Sequence, residues 1–86
     1  MSELSFEETA SKVRKLAKDP NNEEKLELYS LYKQATVGDN TTKKPGMLDF
    51  QGKAKWEAWN KKKGTTSEEA KTQYIEFAKK MFTKYN

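Results

Sequence analysis

The sequence has 86 residues, of which 34% are hydrophobic, 35% charged and 12% aromatic. A chain of this length fits one domain with a thin core, since it buries only about 60–65% of the surface that its unfolded form exposes. Cys and His are both absent, which excludes disulfides and the usual structural zinc sites and removes the commonest general base near neutral pH. A net charge of +4 favours an anionic partner, though weakly.

The N-terminal segment MSELSFEETA lacks the basic and apolar regions of a signal peptide. No window of the sequence approaches the run of about 18 apolar residues that a membrane span requires. We therefore expect a cytoplasmic, soluble chain without integral membrane association. The missing His and Cys also argue against an enzyme, because catalysis would have to rest on a tuned carboxylate, Lys or Tyr.

The first predicted helix begins at Ser5, where Ser5 and Glu8 form a capping box. It ends at Asp19-Pro20, because proline disfavours helical geometry in the residue before it. The apolar face consists of Phe6, Ala10, Val13 and Leu16. Arg14 lies off that face, where it is either a solvated charge or a ligand contact.

The second predicted helix begins in the segment Asn21-Asn22-Glu23-Glu24 and runs to about Val37, with Gly38 after its end. Residues three and four apart are neighbours on a helix, so the sequence predicts two stripes. One stripe is apolar and suits a core: Leu28, Leu31 and Ala35. The other suits a ligand that pairs a flat ring with phosphate, because two phenols stand beside an ammonium: Tyr29, Tyr32 and Lys33.

A loop of about a dozen residues follows and contains the turn signal Pro45-Gly46. Tight antiparallel helices are joined by about 2–8 residues, so this length predicts a crossover between parallel helices. Three apolar residues at the end of the loop either pin it to the body or line an apolar channel: Met47, Leu48 and Phe50.

The third predicted helix is capped by Asp49 and covers residues 51–63, with Lys55 and Trp59 one turn apart. Trp56 and Trp59 are interpreted mainly as core residues, with Trp59 the more buried. Gly64 closes this helix.

The fourth predicted helix opens with a capping box, Thr66 to Glu69, and can run almost to Asn86. Its main stripe consists of Ala70, Tyr74, Phe77, Ala78, Met81 and Tyr85. Tyr74 lies near the start of the stripe, where its hydroxyl can reach a site. With no strand pattern and no repeat, the chain is predicted to be an all-α four-helix bundle with one long crossover between helices 2 and 3.

A basic, aromatic-lined surface beside an apolar groove suits several ligand classes. A nucleic-acid module is disfavoured because acidic residues interrupt the lysines of the first and last helices. A membrane-surface helix is disfavoured for the last helix by Glu68, Glu69 and Glu76. A phosphate site stays open, although neither a Walker loop nor a Rossmann fingerprint is present.

The sequence closely resembles the acyl-CoA-binding protein family, also called diazepam-binding inhibitor, over essentially the whole chain. The resemblance rests on YSLYKQATVGD (Tyr29 to Asp39), KPGMLDFQGKAKWEAWN (Lys44 to Asn60) and KKKGTTSEEA. It implies one acyl-CoA-binding domain over residues 1–86 with helices in an up-down-down-up arrangement. It also implies a monomeric intracellular carrier of medium- and long-chain acyl-CoA esters, which forms an acyl-CoA pool and transports it in lipid metabolism without catalysis, cofactor or metal.

The resemblance assigns acyl-CoA contacts to individual residues. Those that match the family's motifs are Tyr29, Tyr32, Lys33, Lys55 and Tyr74. Ser30 and Leu31 lie within the same binding segment, and Arg14 stands where the family has a basic residue that reaches the phosphates. Lys33 and Lys55 are expected to converge on the 3′-phosphate of coenzyme A, Tyr32 to stack on adenine, and the acyl chain to lie between helices 2 and 3.

Besides a carrier, the sequence leaves two other functions open. The family's second name suggests an interaction module or a secreted peptide precursor, which needs no ligand. The other alternative is an acyl-CoA hydrolase. Titration with a long-chain acyl-CoA separates the first of these from a carrier, and detection of a released thiol separates the second.

Overall fold

The computed structural model describes residues 5–85, and within that range the chain forms four α-helices and no strand. The helices are α1 (Phe6–Val13), α2 (Asn22–Thr36), α3 (Phe50–Asn60) and α4 (Ser67–Tyr85). The predicted all-α class is therefore confirmed. The outer limits of the predicted domain, residues 1–4 and 86, lie outside the described range.

Helix starts follow the capping residues that the sequence predicts. Three helices begin with a reciprocal pair of residues, in which each side chain accepts a hydrogen bond from the backbone amide of the other residue. The pairs are Ser5 with Glu8, Asn21 with Glu24, and Thr66 with Glu69. The fourth start, at α3, uses the carboxylate of Asp49, which accepts from the Gly52 amide at 3.0 Å. These bonds satisfy amides that a helix start leaves without intrahelical partners.

Two helix ends come earlier than predicted. Helix α1 ends at Val13 instead of continuing to Asp19, because the amides of Lys15 and Leu16 bond three residues back, to Lys12 and Val13. This tighter winding ends the α-helical pitch. Beyond Ala10 the apolar side chains of this segment are only partly buried, so little packing supports another turn. Helix α3 likewise ends at Asn60 instead of Lys63 and continues as turns.

Contacts at both ends fix the direction of α4 against α2. Near the end of α4, the Lys84 ammonium donates to the Glu24 carboxylate at 2.7 Å, and Tyr85 donates to the same carboxylate. These donors lower the pKa of Glu24 to about 2. Near its start, the Ser67 hydroxyl donates to the Ala35 carbonyl at 2.6 Å. The two helices are therefore antiparallel.

The other two pairings are parallel. The ammonium of Lys71 lies 6.0 Å from the Phe6 ring and that of Lys12 lies 5.4 Å from the Phe82 ring, so α1 and α4 advance together. Lys55 of α3 lies over Tyr29 of α2, and Lys33 of α2 lies over Trp59 of α3. The second contact is four residues further along both helices, so α2 and α3 run in the same direction. The directions are up, down, down and up, which confirms the predicted topology and its crossover.

The main core lies between α1, α2 and α4. Its buried members include the predicted apolar stripe of α2, namely Leu28, Leu31 and Ala35. Opposite them lie Phe6 and Ala10 of α1, and Ala70, Tyr74, Ala78 and Met81 of α4. Ala70 and Ala78 have no exposed surface, and their small side chains allow α4 to approach α2 closely.

The crossover loop is anchored at its root by the two tryptophans. The Trp59 indole is buried and donates to the Gly38 carbonyl at 2.8 Å, while the half-buried Trp56 donates to the Thr42 carbonyl at 3.0 Å. Gly38 adopts φ +100°, a conformation that favours glycine. Trp59 is thus the more buried of the two, as predicted.

The tip of the loop departs from prediction. Met47 and Leu48 neither pin the loop to the body nor line a channel, since 82% and 90% of their surfaces are exposed. Both sit at the corner of a turn that the Asp49 amide closes onto the Gly46 carbonyl at 3.1 Å. Turn geometry therefore directs them outward. Over residues 5–85, no helix has both the length and the apolar content required to cross a bilayer.

Candidate functional site

Two adjoining cavities flank α2. The first, of about 340 Å³, lies between α1, α2 and α4, and the second, of about 400 Å³, lies between α2 and the start of α3. Tyr29 and Lys25 line both cavities. The two spaces therefore adjoin each other at these residues, and together they are called the groove.

The first cavity combines cationic and phenolic side chains with an apolar floor. It gathers four residues that the sequence predicted for the site: Arg14, Tyr29, Tyr32 and Tyr74. The floor is formed by Ala10, Val13 and Leu28. These residues suit a flat, polar group with negative charge. The tyrosine rings offer stacking area, and the Arg14 guanidinium offers positive charge and several hydrogen-bond donors.

The second cavity is lined by both apolar and polar side chains. Leu26 of α2 and Phe50 and Ala54 of α3 are apolar, and the other lining residues are Asn22, Lys25, Tyr29, Gln51 and Lys55. Phe50 thus lines a channel, which was one of the two alternatives for the apolar residues of the loop. Apolar side chains of this kind favour contact with a hydrocarbon chain over contact with water.

Three aromatic rings contact one another beside the first cavity, which Tyr32 and Tyr74 line. Phe6 stacks on Tyr32 with centroids 5.5 Å apart and meets Tyr74 edge-on at 5.1 Å. Burial raises the pKa of Tyr74 to about 12, although the nearby Arg14 charge opposes that rise. The Tyr74 hydroxyl therefore remains protonated near neutral pH and can act as a donor.

Lys33 and Lys55 each lie over an aromatic face. The Lys55 ammonium lies 5.5 Å from the centre of the Tyr29 ring, at the edge of the groove. The Lys33 ammonium lies 5.0 Å from the Trp59 ring and lines neither cavity. The structure therefore brings Lys55 to the groove and Lys33 to its flank, and their convergence on one phosphate stays a prediction.

Ser30 and Leu31 occupy a different environment from the other predicted site residues. Leu31 lies in the main core with 1% of its surface exposed. Ser30 has no exposed surface, and its hydroxyl donates to the Glu27 carbonyl. Both therefore face away from the open groove. Direct ligand contact by these two residues therefore stays a prediction without support from the geometry.

Several groove residues were not among the predicted contacts. Asn22, Lys25 and Leu26 line the second cavity beside Tyr29, which was predicted. The last three of these residues lie three, four and seven positions after Asn22, which is the spacing of one helix face. That spacing was available in the sequence as a signal. Asp19 and Pro20, by contrast, line the first cavity only because α1 ends early and the following turn folds back.

Metal chemistry receives no support from the part of the chain that the structure describes. No group of three or more His, Cys, Asp or Glu residues within it could hold a metal ion. The fold and the groove define a small helical binding protein whose ligand is part aromatic and anionic and part apolar.

The known proteins that this chain is similar to agree with that class. The family model described as acyl CoA binding protein matches residues 3–78. An acyl-CoA-binding protein homolog of Drosophila melanogaster is 56% identical over 80 residues, which cover 93% of each chain. Acyl-CoA-binding protein homolog 1 of Caenorhabditis elegans is 50% identical over 82 residues, 95% of each chain. The chain belongs to the acyl-CoA-binding protein family.

Solved structures agree with the fold. The crystal structure of Oryza sativa acyl-CoA-binding protein 2 matches with a TM-score of 0.87 and 44% identity, over 92% of this chain and 88% of that one. The solution structure of the yeast acyl coenzyme A binding protein matches with a TM-score of 0.76 and 48% identity, over 93% of each. The four-helix fold is thus the fold of this family.

Proposed function

We propose that this chain is a carrier of medium- and long-chain acyl-CoA esters that maintains and transports an acyl-CoA pool. The observation that carries the proposal is the pair of cavities that meet at Lys25 and Tyr29. The first contains Arg14 and three tyrosines, and the second contains the apolar side chains of Leu26, Phe50 and Ala54 beside Lys55. Acyl-CoA has the same division, since an adenine nucleotide and its phosphates are joined to a hydrocarbon tail. Membership of the family supports the same ligand.

The nucleotide is assigned to the aromatic and cationic part of the groove. Tyr32 offers a ring for adenine, and its position against Phe6 holds that ring in place. Arg14 and Lys55 supply charge to phosphate oxygens, with the Tyr74 hydroxyl as a neutral donor. Charge-assisted hydrogen bonds of this kind are about twice as strong as neutral ones, so they account for selection of the CoA ester over a plain lipid.

Lys33 contributes from the flank of the groove. It lies one turn after Tyr29 on α2, and its ammonium lies on the Trp59 ring. A lysine side chain has a flexible four-carbon stem, so its charge can turn from the ring towards a bound phosphate without movement of the helix. We assign Lys33 and Lys55 to the 3′-phosphate, since plain fatty acids lack that group.

The acyl chain is assigned to the space between Leu26, Phe50 and Ala54. The chain would leave water there, and each buried CH₂ group contributes up to about 0.8 kcal/mol. Lys25, at the junction of the two cavities, limits the apolar wall on one side. We therefore expect a preference for chains that fill this space, with no gain beyond it.

We further propose that residues 1–86 act as one cytoplasmic, monomeric domain without catalytic activity. Neither His nor Cys is available, and the Lys and Tyr side chains of the groove are accounted for as charge and ring contacts. A released thiol is the readout that separates a carrier from a hydrolase. Free CoA appearing above the spontaneous rate would contradict the proposal.

Calorimetric titration at fixed salt tests the two halves of the groove separately. The ligands are free CoA, palmitate and a graded series of acyl-CoA esters. Affinity should rise with each added CH₂ and then level off once the apolar space is full. Free CoA should bind weakly because it lacks the tail, and palmitate should bind weakly because it lacks the nucleotide.

Each arm of the titration has its own contrary result. Affinity that does not depend on chain length would mean that the tail stays in water. Palmitate binding as tightly as its CoA ester would contradict the proposal that the protein binds the nucleotide. No heat from any acyl-CoA would favour the interaction module, the second candidate, over the carrier.

A further inference from the structure

The most exposed apolar surface among the described residues is the loop tip, which we define as Met47, Leu48 and Phe50. Their exposed fractions are 82%, 90% and 74%. Large apolar side chains scattered singly on a surface are ordinary, but three within four residues form a patch. Such patches mark sites of interaction with proteins or membranes.

The turn that carries the loop tip makes this exposure unusual. Met47 and Leu48 are the two central residues of the turn that the Asp49 amide closes onto Gly46. Central turn positions ordinarily hold Gly, Pro, Asn, Asp or Ser, which tolerate water and turn geometry. Two large apolar residues at such a corner project into solvent and gain nothing from the core. Packing within the chain therefore does not account for them.

The loop holds the tip out on a fixed base. Asn40 is buried and donates to the Trp56 carbonyl, while its own oxygen accepts from the Thr42 amide at 2.8 Å. Lys44 pairs with Glu57 of α3 at 3.3 Å. Asp49 caps α3, which starts at Phe50 within the tip. The tip is thus presented between two attachments to α3.

The segment that carries the tip is rich in lysine. Residues 43–55 contain four lysines, Lys43, Lys44, Lys53 and Lys55, against one aspartate. Asp49 directs its carboxylate at the amides of its own helix start, and the Lys44 charge is matched by Glu57. Lys55 lies over the Tyr29 ring of α2. The charges left for the tip are Lys43 and Lys53, which precede and follow the apolar residues in the sequence. Anionic surfaces attract clusters of this kind.

The tip also adjoins the groove. Phe50 belongs to the tip and lines the second cavity, together with Leu26 and Ala54. We propose that the loop tip is a docking surface for anionic lipid bilayers, in which Met47 and Leu48 enter the interface while Lys43 and Lys53 contact the headgroups. Apolar side chains flanked by lysines match the two layers of such an interface. The mouth of the groove then faces the bilayer.

Sedimentation with lipid vesicles tests this surface in the absence of acyl-CoA. The full chain is mixed with phosphatidylcholine vesicles that either contain or lack phosphatidylserine. We expect sedimentation with the anionic vesicles that decreases as salt is raised, and far weaker sedimentation with the neutral ones. The double variant Met47→Ser/Leu48→Ser should bind the anionic vesicles roughly ten- to hundredfold less tightly. Lys43→Gln and Lys53→Gln should each weaken binding about fivefold.

Val37→Ser is the matched control. Val37 is an apolar residue with 61% of its surface exposed, but it lies at the C-cap of α2, outside the loop tip. Vesicle binding should not change in this variant. Phe50 is left intact in every variant because it lines the groove. Acyl-CoA affinity should be the same in the double variant as in the parent, since neither Met47 nor Leu48 lines a cavity.

Four results would overturn the docking surface. They are no sedimentation of the parent with anionic vesicles, full sedimentation of the double variant, equal sedimentation with neutral vesicles, or an equal loss in Val37→Ser. The first result would make a protein the better candidate for covering the tip. None of them bears on acyl-CoA binding, so failure of the docking surface is distinguishable from failure of the carrier function.

Discussion

Helix α2 has one closed side and one open side. Towards α4 it packs with small and aliphatic residues, and Leu28, Leu31 and Ala35 are all buried there. Its other surface meets α3 through lysines on aromatic faces and lines the two cavities of about 340 and 400 Å³. The closed side supplies stability, and the open side leaves aromatic and cationic surface for a ligand. One helix can therefore serve both purposes when its residues divide into separate stripes.

The largest expected effect lies on the closed side. Leu31→Ala should lower the free energy of unfolding by about 2–5 kcal/mol, because it removes a buried side chain and leaves a cavity. Urea denaturation followed by circular dichroism measures this loss. Acyl-CoA affinity, measured where the variant is still folded, should change much less.

This result also decides the role of Leu31. A variant with full stability but greatly reduced acyl-CoA affinity would contradict its place in the core and make it a ligand contact. Ala35→Gly is a useful companion on the same stripe, since it removes less volume and should cost less stability.

The closed side was the more predictable of the two. Helical spacing alone identified its apolar stripes on α2 and α4, because burial repeats with the period of the helix. The capping pairs were equally local, and each joins residues three apart. The early end of α1 was not predictable from local sequence. Whether another helical turn is stabilised depends on burial against other helices, and beyond Ala10 the apolar side chains are only partly buried. The parallel pairing of α2 with α3 followed from loop length.

The open side could be read from sequence only in part. Tyr29 and Tyr32 were predicted as ring contacts from their spacing, and both line the first cavity. Lys33 and Lys55 were expected to meet, but their rotamers place them on different rings, and local spacing carries no information about rotamers across helices. The exposure of Met47 and Leu48 depends on the direction of a turn, which hydrophobicity alone does not reveal.

The next largest effect lies on the open side. Lys33→Ala and Lys55→Ala should each cost roughly 1.5–3 kcal/mol of acyl-CoA binding, as expected for loss of a charge-assisted hydrogen bond. Thermal or urea unfolding should change little. Calorimetry with one long-chain acyl-CoA measures the binding loss.

Lys80→Ala is the control for these variants, since it removes the same charge from an exposed position on α4. It separates a specific contact from a general effect of net charge. Parent-like affinity in both groove variants would show that neither lysine contacts the phosphates. A loss in Lys55→Ala alone would assign the contact to the lysine at the groove and leave Lys33 with its Trp59 ring.

Tyr32 joins the two sides, because it stacks on Phe6 of the core and lines the first cavity. Tyr32→Ala should lose about 1–3 kcal/mol of binding through lost base stacking, together with some stability from the lost ring pair. Tyr32→Phe keeps the ring and should be mild in both respects. Calorimetry and urea unfolding of the two variants separate the effects. A severe binding loss in Tyr32→Phe would move the contact from the ring to the hydroxyl.

The smallest expected effect concerns Lys25, which lies where the two cavities meet. Its ammonium is 4.0 Å from the Asp19 carboxylate, and both side chains are largely exposed, so this pair should contribute at most about 1 kcal/mol to stability. Lys25→Met replaces the charge with an apolar side chain of similar length. The apolar wall of the groove then extends further along α2.

Acyl-CoA affinity in Lys25→Met should therefore continue to rise for one or two carbons beyond the length at which the parent levels off, by up to about 0.8 kcal/mol per CH₂. Short-chain esters should bind as they do in the parent, because their tails end before this residue. Calorimetry over the graded series measures both ends of the curve, with Lys80→Met as the control for charge. An equal shift at every chain length would mean that Lys25 acts on the nucleotide through its charge. Only a change confined to the longest chains places its side chain beside the acyl tail.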